Sequence, residues 1–94
     1  MPRRNDEIEA EWSAYSQRFA TSLRSARERA GLSQEDVAYR SGLTRYTYQK
    51  YEKGESRPGS PANPTLRTLL ALSQVLELPL VTLIPGDAPD MRYR

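Results

Sequence analysis

The sequence has neither cysteine nor histidine. Their absence excludes disulfides, thiol nucleophiles and imidazole general bases, and with them nearly every zinc-site pattern. Asp and Glu form no cluster that suggests a carboxylate-only metal or acid/base site. No catalytic residue, metal or cofactor is therefore assigned, and the expectation is that the chain is not an enzyme. Long apolar runs are missing too. Nothing approaches the roughly 20 residues that a membrane span needs, and the N-terminus has no apolar signal segment. A cytoplasmic protein with no membrane partner is expected. Large apolar anchors are scarce: one Trp and one Phe, beside six Tyr, must hold a modest core. A chain of 94 residues has room for one compact domain and not two.

What is present is uneven charge. The net charge is only +2, but residues 1–17 carry Arg3 and Arg4 against Asp6, Glu7, Glu9 and Glu11. Residues 18–57 carry nine bases against five acids, and residues 58–94 three against three. Basic charge concentrates in the middle, as a polyanionic partner requires. An ordinary solvated surface explains the same charges equally well, so this feature alone decides nothing.

Between Asn5 and Ala30 there is no Gly or Pro. Ile8, Trp12, Tyr15, Phe19, Leu23, Ala26 and Ala30 recur at steps of three and four, one apolar stripe on a helix. Whether this is one helix or two pieces broken near Ser13–Ser16 is open at this level. Ser33 and Asp36 make a capping-box start for a second helix that stops at Ser41-Gly42. Leu43 plugs the turn, and Thr44 caps a third helix running to Lys53 and ended by Gly54. Two short helices joined by a tight Gly-containing turn form a helix-turn-helix unit. Glu55 to Pro64 holds three Pro and one Gly and reads as an extended loop. A fourth helix is expected from about Thr65 to Glu77, with Leu66, Leu69, Leu70, Leu72, Val75 and Leu76 on its apolar face. Leu78–Ile84 has room for one further turn of helix, and a polar tail follows Pro85-Gly86.

The segment RFATSLRSARERAGLSQEDVAYRSGLTRYTYQKYEKG, followed by PTLRTLLALSQVLELPLVTLI, resembles the lambda-repressor/Cro-like helix-turn-helix proteins over roughly Arg18 to Ile84. The resemblance implies an all-α fold: a five-helix DNA-binding domain over residues 18–84, preceded by an N-terminal helical extension (1–17) and followed by a tail (85–94). It implies that the third helix lies in the major groove of double-stranded DNA, with residues near its N-terminus reaching base edges. Alignment with the family gives Arg45, Tyr46, Thr47 and Lys50 as base readers. Gln34, Arg40, Thr44, Lys53, Ser56 and Arg57 are the matching candidates for phosphate contacts. Tyr48 and Tyr51 fall where the family places core residues, and Glu52 is expected to bond an Arg or a backbone group inside the domain, with Arg24 or Arg27 the candidate partner.

Two features depart from the family. Gly59–Pro64 lengthens the link between the third and fourth helices, and Ile8, Trp12 and Tyr15 extend the apolar stripe beyond the usual start of the fold. That stripe must be buried, on its own domain or against a second copy. Family members commonly bind paired half-sites as two-fold dimers spaced by about 34–36 Å, so a homodimer is expected. The leading expectation is a sequence-specific transcriptional regulator, a repressor that occupies a palindromic operator. The alternatives are an antitoxin-type autoregulator with a toxin or other protein partner, and a protein-interaction adaptor that kept the fold without reading DNA.

Overall fold

Asn5–Ala30 forms one unbroken helix, α1, in the computed structural model, which describes residues 5–93. Arg3 and Arg4 of the N-terminal stretch, and Arg94 of the tail, lie outside the described residues. The serines near its middle do not break α1. Ser16 is buried, and its hydroxyl donates to the Ala62 carbonyl at 3.0 Å. The apolar stripe faces inward from Ile8 to Ala26, while Ala30 is exposed beyond its end.

The next two helices are short and closely joined. α2 spans Gln34–Arg40 and α3 spans Arg45–Glu52. Both arms of the α2 capping box form: the Asp36 amide donates to Ser33 Oγ at 3.0 Å, and the Ser33 amide donates to Asp36 Oδ2 at 3.3 Å. The bond to the Ser33 side chain, with that from its backbone, holds the Asp36 carboxyl below its ordinary pKa. At the other end of α2, Leu43 N–H bonds Ala38 C=O at 2.9 Å and Gly42 N–H bonds Tyr39 C=O at 3.1 Å. This paired closure needs a left-handed residue between helix and exit, and Gly42 supplies it at φ +74°. Thr44 then caps α3 by accepting from the Thr47 amide at 3.1 Å.

The stretch after α3 departs from the expected loop. Glu55–Arg57 (β1) and Ser60–Pro61 (β2) pair antiparallel as a small hairpin. Its turn has Pro58 at the second position and Gly59, φ +80°, at the third, the residue pattern of a type II turn. Pro-rich composition suggested irregularity, and part of it is there: one Pro sits in the turn and another at an edge, and the register shifts between Glu55 and Arg57. The base is closed by Ala62 N–H to Gly54 C=O at 2.8 Å.

α4, Leu66–Val75, starts at the Thr65 cap, and α5, Leu80–Leu83, is a single turn. Phe19, Leu23, Ala26, Val37, Ala38, Tyr48, Leu72, Leu76 and Leu83 make one core drawing on all five helices or their caps. Full burial of each large side chain there is worth about 1.5–3 kcal/mol. Leu66 and Leu70, expected on the inward face of α4, are instead 67% and 42% exposed. The reason is angular: Leu70 lies about 160° around the helix from Leu72, which holds the core.

The N-terminal stripe is buried on its own domain. Ile8 is 1% exposed, and Trp12 is half-buried and stacks on Tyr15 at 5.9 Å between centroids. The tail runs back along this part of α1. Tyr15 Oη donates to Pro85 C=O at 2.7 Å, Arg18 Nη2 to Asp87 C=O at 3.0 Å, and Tyr93 Oη to Asn5 Oδ1 at 2.8 Å. Arg18, one of the central bases, is thereby engaged with the tail.

Candidate nucleic-acid interface

α3 divides sharply around its axis. Tyr48 is fully buried and Glu52 is 6% exposed, whereas Tyr46 is 65% exposed and Arg45 is exposed beside it. Lys50 is half-exposed, and its ammonium lies over the Tyr46 ring, 4.5 Å from the centroid. An exposed cation–π pair of this kind is worth about 0.5–1 kcal/mol. It joins side chains one helical turn apart, so Tyr46 and Lys50 form one preset unit. Sequence reasoning named both residues but not their pairing. Thr47 is half-buried, and its hydroxyl shares a hydrogen bond with that of Thr44 at 2.9 Å.

The buried side of α3 is fixed by a polar network. Arg27 from α1 grips Glu52 with Nε to Oε2 at 2.5 Å and Nη2 to Oε1 at 3.0 Å. The expected partner is thus Arg27, and Arg24 is not used. Tyr48 Oη donates to Glu52 Oε2, and Gln34 Nε2 donates to Glu52 Oε1 at 3.0 Å. Burial alone would raise the Glu52 pKa, but the bonds from Arg27, Tyr48 and Gln34 outweigh it and hold the carboxyl below its ordinary value. The Tyr48 hydroxyl moves far upward, through burial first and the adjacent carboxylate second. The network joins α1, α2 and α3 through four side chains. It fixes the rotation of α3, and so the direction its outer face points.

The candidates for phosphate contacts differ in what they have to offer. Arg40, Lys53 and Arg57 are exposed, and among the described residues none of their charged groups makes a hydrogen bond or a close ion pair, although Arg40 acts on the Asp36 carboxylate electrostatically. Gln34 retains one amide proton after bonding Glu52. Thr44 is occupied as a cap. Ser56 is otherwise engaged: its hydroxyl donates to Pro61 C=O at 3.2 Å and accepts from Asn63 N–H at 2.9 Å. With its single proton used, it works as the brace of the hairpin. Gln49 was not named from sequence. Its side chain, at the α2–α3 seam, donates to Gln34 Oε1 at 3.2 Å. Nothing in its position along α3 marks this, because Gln34 lies on another element.

A family model described as a helix-turn-helix domain matches residues 18–83. The chain belongs to the helix-turn-helix family. Its domain is of the lambda-repressor/Cro-like kind. Among solved structures it is similar to the restriction-modification controller protein C.AhdI from Aeromonas hydrophila, at 34% identity and a TM-score of 0.65. That similarity covers 74% of this chain and 97% of that one. Comparison with curated proteins gave no match. Among the described residues, no helix of the helix-turn-helix protein is long and apolar enough to cross a membrane, and no group of three or more acidic side chains could hold a metal ion.

Proposed function

We propose that this helix-turn-helix protein is a transcriptional regulator that binds a palindromic operator as a homodimer, acting as a repressor by occupancy. The observation that carries the reading is the division of α3. Arg45, Tyr46 and Lys50 project outward while Tyr48 and Glu52 lock the opposite side to the core. A rigid helix with a basic, hydrogen-bonding outer face fits the width of the B-DNA major groove.

Arg45 is the principal base reader, its planar fork pairing with guanine O6 and N7 for about 1–3 kcal/mol of discrimination. Tyr46 presents an aromatic edge to a thymine methyl, and Lys50 donates to a base or to the adjacent backbone. Thr47, half-buried, contributes its flank. Arg40, Lys53, Arg57 and the remaining Gln34 proton hold phosphates on either side and set the register. The work is binding and not catalysis, and on this reading it is done in the cytoplasm.

The dimer supplies selectivity that a single helix lacks, since two half-sites are read together. Leu66 and Leu70 on α4, with Val81 on α5, are exposed apolar side chains on neighbouring helices. They are the natural contact for a second copy. The likeness to a restriction-modification controller supports a regulator over a repressor-shaped adaptor, and makes a restriction-modification locus the first place to look for the operator.

Selection of bound duplexes from a random DNA pool tests this reading. Enrichment of one inverted repeat, with half-sites about one helical turn apart, is the expected result. Enrichment without symmetry contradicts the dimer, and no enrichment contradicts sequence-specific binding.

A further inference from the structure

We infer that Gln49 is an additional base reader, specific for adenine, and that Gln34 and Glu52 act through it as positioning residues. The inference rests on the regulator reading above and deepens it.

A glutamine amide is usually a poor recognition group before binding, because its two ends swing freely and either can face the DNA. Its value to a reader lies in carrying two donors and an acceptor in one plane. Adenine offers N7 as acceptor and N6–H2 as donor in the major groove, and an amide edge with one N–H and the carbonyl oxygen matches both. The amide must be turned the right way, and ordering it at the moment of binding costs side-chain entropy.

Here that ordering exists before DNA arrives. The Glu52 carboxylate, fixed by Arg27 and Tyr48, accepts from Gln34 Nε2 at 3.0 Å. A carboxylate only accepts, so this bond settles which end of the Gln34 amide is nitrogen. The Gln34 oxygen is thereby presented to Gln49, whose Nε2 donates to it at 3.2 Å. The same logic settles the second amide. Among the described residues no other hydrogen bond engages the Gln49 amide, which leaves one amide proton and its carbonyl oxygen, the donor–acceptor pair that adenine requires.

Placement agrees. Gln49 is one turn beyond Arg45 and next to Lys50 on α3, on the flank of the outward face nearest the start of α2. It is half-buried, so it is held at the edge of the exposed face and not lost from it. A brace alone between α2 and α3 would need only the Gln34–Glu52 bond.

The test uses the full chain and the duplex that the wild-type protein selects from the random pool. Binding is measured by fluorescence anisotropy to that duplex and to a set with each base pair replaced in turn, for the wild type and for Gln49→Ala, Gln49→Glu and Gln34→Ala. Thermal unfolding confirms that each variant is folded. The wild type should disfavour loss of one A·T pair by about tenfold, and Gln49→Ala should abolish that preference while leaving discrimination at the other positions intact. Gln49→Glu keeps the side-chain length, removes both amide protons and should move the preference at that pair toward cytosine, whose N4 amine a carboxylate accepts. Gln34→Ala should weaken discrimination at the same pair without changing which base is preferred. If Gln49→Ala and Gln49→Glu lower affinity for every duplex alike, Gln49 is only a brace and the inference is overturned. A wild-type protein that selects no sequence overturns the regulator reading itself, an outcome distinct from the first.

Discussion

Glu52 shows how much one side chain can depend on its surroundings. From sequence it is expected to bond inside the domain, and its side chain is only 4% exposed and takes bonds from three residues on three helices. Glu52→Gln removes the charge that Arg27 faces and turns one of the two acceptor oxygens gripped by Arg27 into a donor, while Arg27, itself 15% exposed, retains its bond to the Leu32 carbonyl at 3.1 Å. The loss should be about 3 kcal/mol of unfolding free energy, read from the denaturant midpoint at constant slope. Acid sensitivity follows with a definite sign. Because the folded carboxyl titrates below its ordinary value of 4.5, its contribution is present above that pH and is lost as pH falls through the depressed value. The variant should therefore show a shallower fall in stability below about pH 4.5 than the wild type. An equally steep acid limb in both would mean that Glu52 is not the group responsible. The sequence signalled an Arg partner but could not choose between Arg24 and Arg27. They differ by three positions, and only the rotation of α1 against α3 decides.

Elements were legible to the extent that their signals are local. The capping box at Ser33 and Asp36, the Gly42 turn and the Thr44 cap each involve residues within a few positions of one another, and all formed as the sequence suggests. The hairpin was missed because three prolines in ten residues read as a loop, and part of what holds it lies outside it. Ser16 of α1 and Ala62 secure its base, a contact between residues far apart in sequence. The Leu66–Leu70 row was misplaced for a similar reason: α4 carries leucine on several faces, and periodicity alone does not say which meets the core. One terminus departs from the rule that closes α2. At the end of α4, Leu78 N–H bonds Ser73 C=O and Glu77 N–H bonds Gln74 C=O, but the left-handed position belongs to Glu77, φ +56°. A side chain with Cβ is strained there. Glu77→Gly should stabilise the protein by about 1 kcal/mol, visible as a rise in melting temperature of several degrees. A fall would mean that the glutamate makes a compensating interaction.

The whole molecule is built so that one surface is fixed and another left open. The tail and the first turns of α1 close on each other through Tyr15, Arg18 and Tyr93, which accounts for an apolar stripe that the sequence left without a partner. Leu66 and Leu70 remain uncovered. If they meet a second copy, Leu66→Glu combined with Leu70→Glu should give a monomer by sedimentation equilibrium, with unchanged melting of the monomer and a marked loss of cooperative binding to paired half-sites. A double variant that still sediments as a dimer would place the interface elsewhere. None of this was readable from the sequence beyond the expectation of a dimer, because an interface depends on which leucines the monomer does not use.

The direct test of base reading by α3 is Arg45→Ala measured on two duplexes, the selected site and a random sequence of equal length, across a series of salt concentrations. Reading at a base edge predicts that affinity for the selected site falls by about tenfold or more while affinity for random DNA falls far less. Equal losses on both duplexes, with the salt dependence reduced by about one phosphate contact, would contradict it and make Arg45 a backbone contact only.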